Sequence, residues 1–111
     1  MPRPGPRMAT LETSVLDTTD AKVLRVRGEI DLASSESLMS AAQSLVKPDI
    51  GTLRLDMTGV TFIDSSGIRS ILLIDEQCRE SGVGFQVTPS EQVQRVLSLV
   101  GLSFDENVPA E

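Results

Sequence analysis

The sequence predicts a small mixed α/β domain, with a sheet whose later strands are parallel. Three observations predict it. Runs of period-two and period-3.6 hydrophobicity succeed one another in the order strand, strand, helix, strand, helix, strand, helix. Strands separated by helices pair parallel and are joined by right-handed crossovers, whereas the first two runs are close enough for a hairpin. Finally, 111 residues with 40% hydrophobic side chains support one core and no second domain.

Leu11 to Asp17 and Lys22 to Gly28 alternate through Leu11, Thr13 and Val15 and through Leu24 and Val26, so both read as strands. Thr18, Thr19, Asp20 and Ala21 between them suit a hairpin loop. Ser34 to Lys47 keeps Leu38, Ala42, Leu45 and Val46 on one helical face, with Ser34 or Ser35 as its cap and Pro48 and Gly51 marking its end. Thr52 to Met57 is the third strand, through Leu53, Leu55 and Met57. Ser65 to Ser81 is the second helix, closed by Gly82, and Gly67, Ile71, Ile74 and Cys78 form its sheet-facing side. Ser66, Arg69, Ser70, Leu73, Gln77 and Glu80 fall on a flank turned away, where Leu73 is the one large apolar residue. Val83 to Thr88 is the fourth strand. Ser90 caps a last helix with a stripe of Val93, Val96, Leu97 and Val100, and Gly101 stops it. Phe104 is expected to pack back on the core. Residues 1–10 read as a flexible Pro-rich tail, 11–108 as the domain and 109–111 as a C-terminal tail.

Charge and composition remove whole classes of function. A formal net charge of −6 leaves no basic face for nucleic acid or an anionic membrane, so the expected partner is another protein. No apolar run approaches the roughly 20 residues of a membrane span. The N-terminus has charge but no apolar stretch after it, unlike a secretory signal. One cysteine excludes an internal disulfide and fits a reducing, cytoplasmic setting. With no histidine in the chain, Ser-His-Asp and Cys-His catalysis and His-bearing zinc sites are unavailable within it. Cys78, on the inner face of its helix, reads as a small buried thiol before a redox sensor. No metal or cofactor site is expected.

Chemistry concentrates at Val60 to Ile68, Val-Thr-Phe-Ile-Asp-Ser-Ser-Gly-Ile, where a strand pattern meets a helix pattern. Unpaired N–H groups of a helix's first turn favour a hydroxyl, a carboxylate or a phosphate. Ser65 is therefore open to two roles, an N-cap worth about 1 kcal/mol or a phosphorylation site. Leu73 beside Arg69 is either an ordinary surface leucine or an anchor for a partner. The Gly-x-Ser-x-Gly spacing of a hydrolase elbow is absent, and so is a phosphate-binding Gly-x-x-x-x-Gly-Lys loop. Asp31, Asp56 and Asp64 at strand ends leave open a receiver-like aspartyl-phosphate domain holding magnesium.

Three segments together resemble the bacterial anti-sigma factor antagonists of the STAS class. They are Gly28-Glu29-Ile30-Asp31, Phe62-Ile63-Asp64-Ser65-Ser66-Gly67-Ile68 and Val93-Gln94-Arg95-Val96-Leu97-Ser98-Leu99-Val100-Gly101-Leu102. Their order and spacing cover Leu11 to Phe104. The resemblance implies a STAS-like single domain, a mixed four- to five-stranded sheet with helices mainly on one face. It implies a non-enzymatic regulator that binds an anti-sigma factor serine kinase and so frees a sigma factor in a stress response. In that class the kinase phosphorylates the serine after the motif aspartate and ends the binding, and a metal-dependent serine phosphatase reverses it. The matching position is Ser65, with Ser66 the neighbouring alternative. The resemblance implies that Asp31 lies beside Ser65 and helps form the kinase-facing surface, its alternative role being a turn or helix-capping residue before Ser34. With Asp64, Ser66, Gly67, Arg69 and Leu73 it makes up the expected partner-binding residues. After Asp31 the chain reads Leu32-Ala33-Ser34-Ser35, without the threonine that many relatives carry. A STAS scaffold that is never phosphorylated is the alternative within the same class.

Overall fold

The computed structural model describes residues 11–19 and 21–102. The expectations for Asp20, Phe104 and both tails lie outside the described residues. Seven elements follow in the predicted order: β1 (Leu11–Asp17), β2 (Ala21–Ile30), α1 (Leu32–Gln43), β3 (Thr52–Ile63), α2 (Ser65–Glu80), β4 (Gly84–Pro89) and α3 (Glu91–Leu99). The described strands form one four-stranded sheet in the order β1-β2-β3-β4, with β1 antiparallel to β2 and both other pairs parallel.

The hairpin is closed by the Thr18 N–H and hydroxyl, which both donate to the Ala21 carbonyl at 3.0 and 3.1 Å, and Lys22 reaches back to Asp17 at 2.7 Å. Because the strand order advances steadily from β2 to β4, right-handed crossovers put α1 and α2 on the same face, where they pack on each other. Leu24, Val26, Leu53, Leu55 and Met57 of the sheet meet Leu38, Ala42, Ile71, Ile74 and Cys78 of these helices in one core, which Val93 and Leu97 of α3 join. Each large aliphatic side chain buried there contributes about 1.5–3 kcal/mol. Cys78 is fully buried in the core, and burial together with the charge of Asp75 pushes its thiol up to about 11. The opposite face carries Arg25, Arg54 and Asp56 in register, with Arg25 3.4 Å from Asp56 and Arg54 Nε donating to Gln86 at 2.9 Å.

Four boundaries, in three elements, differ from the sequence expectation by two residues or more, the first being that β2 runs to Ile30 and not Gly28. β3 runs six residues past Met57, because it holds two more residues than β2 between the pairs Arg25–Asp56 and Ile30–Ile63. Those two bulges break the period of two, so that Val60 and Ile63, three apart, are both buried. Gly28 sits at the second bulge with φ 112°, a conformation that side-chain-bearing residues rarely adopt. α1 begins at Leu32, not Ser34, and stops at Gln43, not Lys47. Its cap is Asp31, whose carboxylate accepts the Ser34 N–H at 3.1 Å while the Asp31 N–H donates to the Ser34 hydroxyl at 3.0 Å. No helix among the described residues is long and apolar enough to cross a membrane.

Candidate functional site

The candidate site is built where β2 and β3 end. Ile30 pairs with Ile63, and the Asp64 N–H donates to the Ile30 carbonyl at 3.1 Å, so Asp31 and Asp64 leave adjacent strands at one level. Each then caps the helix that follows it. The result is two helix N-termini side by side, with Asp31 and Leu32 opening α1 and Asp64 and Ser65 opening α2.

Asp64 fills the cap that the sequence left open to Ser65. Its Oδ1 accepts the N–H groups of Ser66 at 2.9 Å and Gly67 at 3.3 Å, and the Ser66 hydroxyl at 2.5 Å. These bonds, the Ser66 hydroxyl first, hold its carboxyl below the usual range against the opposing effect of burial. Ser65 is the first helical residue, exposed, and its hydroxyl bonds to no described residue. Ser66 is half-buried, its hydroxyl already committed to Asp64.

Gly67 is buried beneath this turn. A methyl group there would come within 2.6 Å of Ile63 Cγ1 and 2.7 Å of Ile30 Cγ2, so what Gly67 supplies is close approach of α2 to the paired isoleucines, not a contact surface. Ser70, expected on the outward flank, is also buried: its hydroxyl donates to the Ser66 carbonyl at 3.1 Å and lies 3.5 Å from that of Ser35, tying α2 to α1. Arg69 and Leu73 are exposed, each one turn further along the row that starts at Ser65. Leu73, 39% exposed, lines a shallow groove of about 400 Å³ with Met39, Gln43, Glu76, Gln77 and Glu80 between α1 and α2.

Two apolar residues at this end were not singled out by sequence. Leu32 is 79% exposed and Phe62 44% exposed. The signal was present, since Leu32 is six positions before Leu38 and off its helical stripe, while Phe62 must face away from its buried neighbour Ile63. Asp56, by contrast, does not join Asp31 and Asp64. It lies on the open face of the sheet, where the Thr58 N–H and hydroxyl donate to it at 3.0 and 2.8 Å and Arg25 stands beside it. Burial raises its carboxyl, but these partners outweigh that and leave it lowered. The described residues hold no group of three acidic, His or Cys side chains that could bind a metal.

Comparison with known proteins agrees with this architecture. Over 93 residues the chain is 27% identical to the anti-sigma-F factor antagonist RsfB of Mycobacterium tuberculosis, a match spanning 84% of this chain and 76% of RsfB. It is 31% identical over 75 residues to Osmosensory protein A of the same organism, covering 66% of this chain but only 46%, about half, of that protein. The crystal structure of an anti-sigma factor antagonist from Mycobacterium paratuberculosis superposes with a TM-score of 0.77 at 26% identity, over 93% of this chain and 86% of that one. The STAS domain family matches residues 12–110, nearly the whole chain, and this protein belongs to that family.

Proposed function

We propose that this protein is a cytoplasmic anti-sigma factor antagonist, switched by phosphorylation of Ser65. It binds an anti-sigma factor serine kinase through the paired N-termini of α1 and α2, and so releases a sigma factor; phosphorylation ends the binding and a metal-dependent serine phosphatase restores it. The observation that carries this reading is the division of labour at Ser65 and Ser66. The cap is occupied by Asp64 and the Ser66 hydroxyl is held by it, which leaves Ser65 as the exposed hydroxyl at the start of α2. A nucleophilic oxygen with no intramolecular bond to break is the better acceptor for a phosphoryl group.

Phosphate at Ser65 meets a favourable helix dipole and an unfavourable neighbour in Asp64. Since the cap does not depend on Ser65, the fold survives modification. Binding does not: burying a phosphate dianion in an interface without matching cations costs several kcal/mol, and about 3 kcal/mol is more than a hundredfold in affinity. Asp31, Asp64, Ser66, Arg69 and Leu73 frame the surface, to which Leu32 and Phe62 add exposed apolar area. Gly67 acts from beneath by setting the height of α2.

The test is a calorimetric titration of the protein into purified anti-sigma factors from the same genome. Unmodified protein and Ser65→Ala should bind one of them alike, and Ser65-phosphorylated protein roughly a hundredfold more weakly. Equal affinity of the phosphorylated form would instead support a phosphorylation-independent STAS scaffold.

A further inference from the structure

We propose that β1 is a self-association edge, at which two copies of this chain pair antiparallel about a twofold axis at Ser14 and join their sheets into one. β1 pairs with β2 along its whole length, and no described strand pairs with its other side. Every second residue there points its N–H and C=O outward. From Glu12 to Asp17 the strand is exposed throughout, including Val15 at 52% and Leu16 at 50%, which lie on opposite faces of the sheet.

Edge strands are normally guarded by proline, charged side chains, a bulge or shortness. β1 has no proline, lysine or bulge: its seven residues, Leu-Glu-Thr-Ser-Val-Leu-Asp, pair with β2 without a register shift, and its two charges, Glu12 and Asp17, leave Thr13 to Leu16 between them uncharged. The opposite edge is treated differently. β4 is shorter, ends in Pro89, is half-buried over most of its length and has α3 packed against it.

The occupant that fits is a second copy, because the edge is complementary to itself. An axis at Ser14 sets Leu11 opposite Asp17, Glu12 opposite Leu16 and Thr13 opposite Val15, so all seven residues pair and no like charges face each other. Asp17 is further neutralised within its own hairpin by Lys22 at 2.7 Å. Thr13 and Val15 are the β-branched type that cross-strand pairs favour. Moving the axis by one residue either way leaves two of the seven strand residues outside the ladder. A single added strand pair is a small interface, and each copy carries a formal charge of −6, so the dimer is weak, reversible and strengthened by salt. The candidate site at the ends of β2 and β3 is not part of the pairing, and the proposal stands apart from the proposed function.

The test is sedimentation equilibrium of the full chain up to about 1 mM at low and high salt, with disulfide trapping. The expected result is a concentration-dependent dimer that Thr13→Lys with Val15→Lys returns to monomer. In the paired register the two Ser14 side chains oppose each other, while the two Leu16 side chains are four positions, about 14 Å, apart. Ser14→Cys should therefore crosslink at least about tenfold faster than Leu16→Cys, and the buried Cys78 does not compete. A monomer at every concentration, a dimer that survives the lysine pair, or equal crosslinking rates would each overturn the proposal. Should the lysine variant fail to fold, the ratio of crosslinking rates decides alone.

Discussion

Ser65 and Ser66 are neighbours in sequence, and the carboxylate of Asp64 holds only the second. The three residues thus divide capping, bracing and exposure among themselves, which spacing alone could not reveal because any of them suits a cap. Asp64→Ala should cost about 1 kcal/mol in urea unfolding at neutral pH. The charge adds a pH signature. Asp64 has a folded pKa below 3.8, so the unfolded chain takes up this proton at higher pH than the folded one. Its stabilisation is complete above the ordinary carboxylate range and is lost as pH falls through the folded pKa. The stability gap between the unmodified protein and Asp64→Asn should accordingly narrow below about pH 4. Arg69, four residues after Ser65, stands where a phosphate on Ser65 would find a cation one turn away. Arg69→Ala should lower the melting temperature of the Ser65-phosphorylated protein more than that of the unmodified protein.

At the scale of elements, α2 depends on how closely it lies over the strand ends. Gly67→Ala ought to stabilise an isolated helix, yet the methyl group would press on Ile63 and Ile30, and the expected net effect in urea unfolding is a loss of about 1–3 kcal/mol. A neutral or stabilising result would mean that the contact is softer than the geometry indicates. The order and type of all seven elements were legible in the sequence, because each apolar stripe matched one period and Ser90 and Asp64 stand at helix starts. Where the reading failed, tertiary structure had overridden the pattern. The bulges hid the second half of β3, since they shift Val60 and Ile63 off the alternation set by Leu53 and Leu55. Ser34 or Ser35 suits a cap by residue type, but Asp31, whose alternative role in the sequence is a turn or capping residue, suits one equally and follows directly on the end of β2. Ser70 looked outward by helical angle alone, and only the packing of α1 beside α2 buries it.

For the molecule as a whole, the parallel pairing of β2 with β3 brings two helix starts together at one end, and the sheet face that carries Arg25, Arg54 and Asp56 lies away from the helices. Asp31 and Asp64 are 33 positions apart in sequence, so their adjacency follows from topology, whereas the strand-to-helix junction around Ser65 is local and legible in the sequence, though not the division of roles within it. Leu32, Phe62 and Leu73 are exposed apolar residues near this end and along its helices, as is Leu72 on α2. Replacing Leu32 or Leu73 by alanine should leave stability within about 0.5 kcal/mol and weaken binding to the anti-sigma factor by about tenfold or more, as read by titration. The proposed switch rests on Ser65 as the acceptor. Its most direct test is mass spectrometry with site localisation after incubation with each anti-sigma kinase of the same genome and magnesium ATP. The expected result is one phosphate on Ser65, absent in Ser65→Ala and retained in Ser66→Ala; phosphate on Ser66 instead, or none from a kinase that binds the protein, would overturn it.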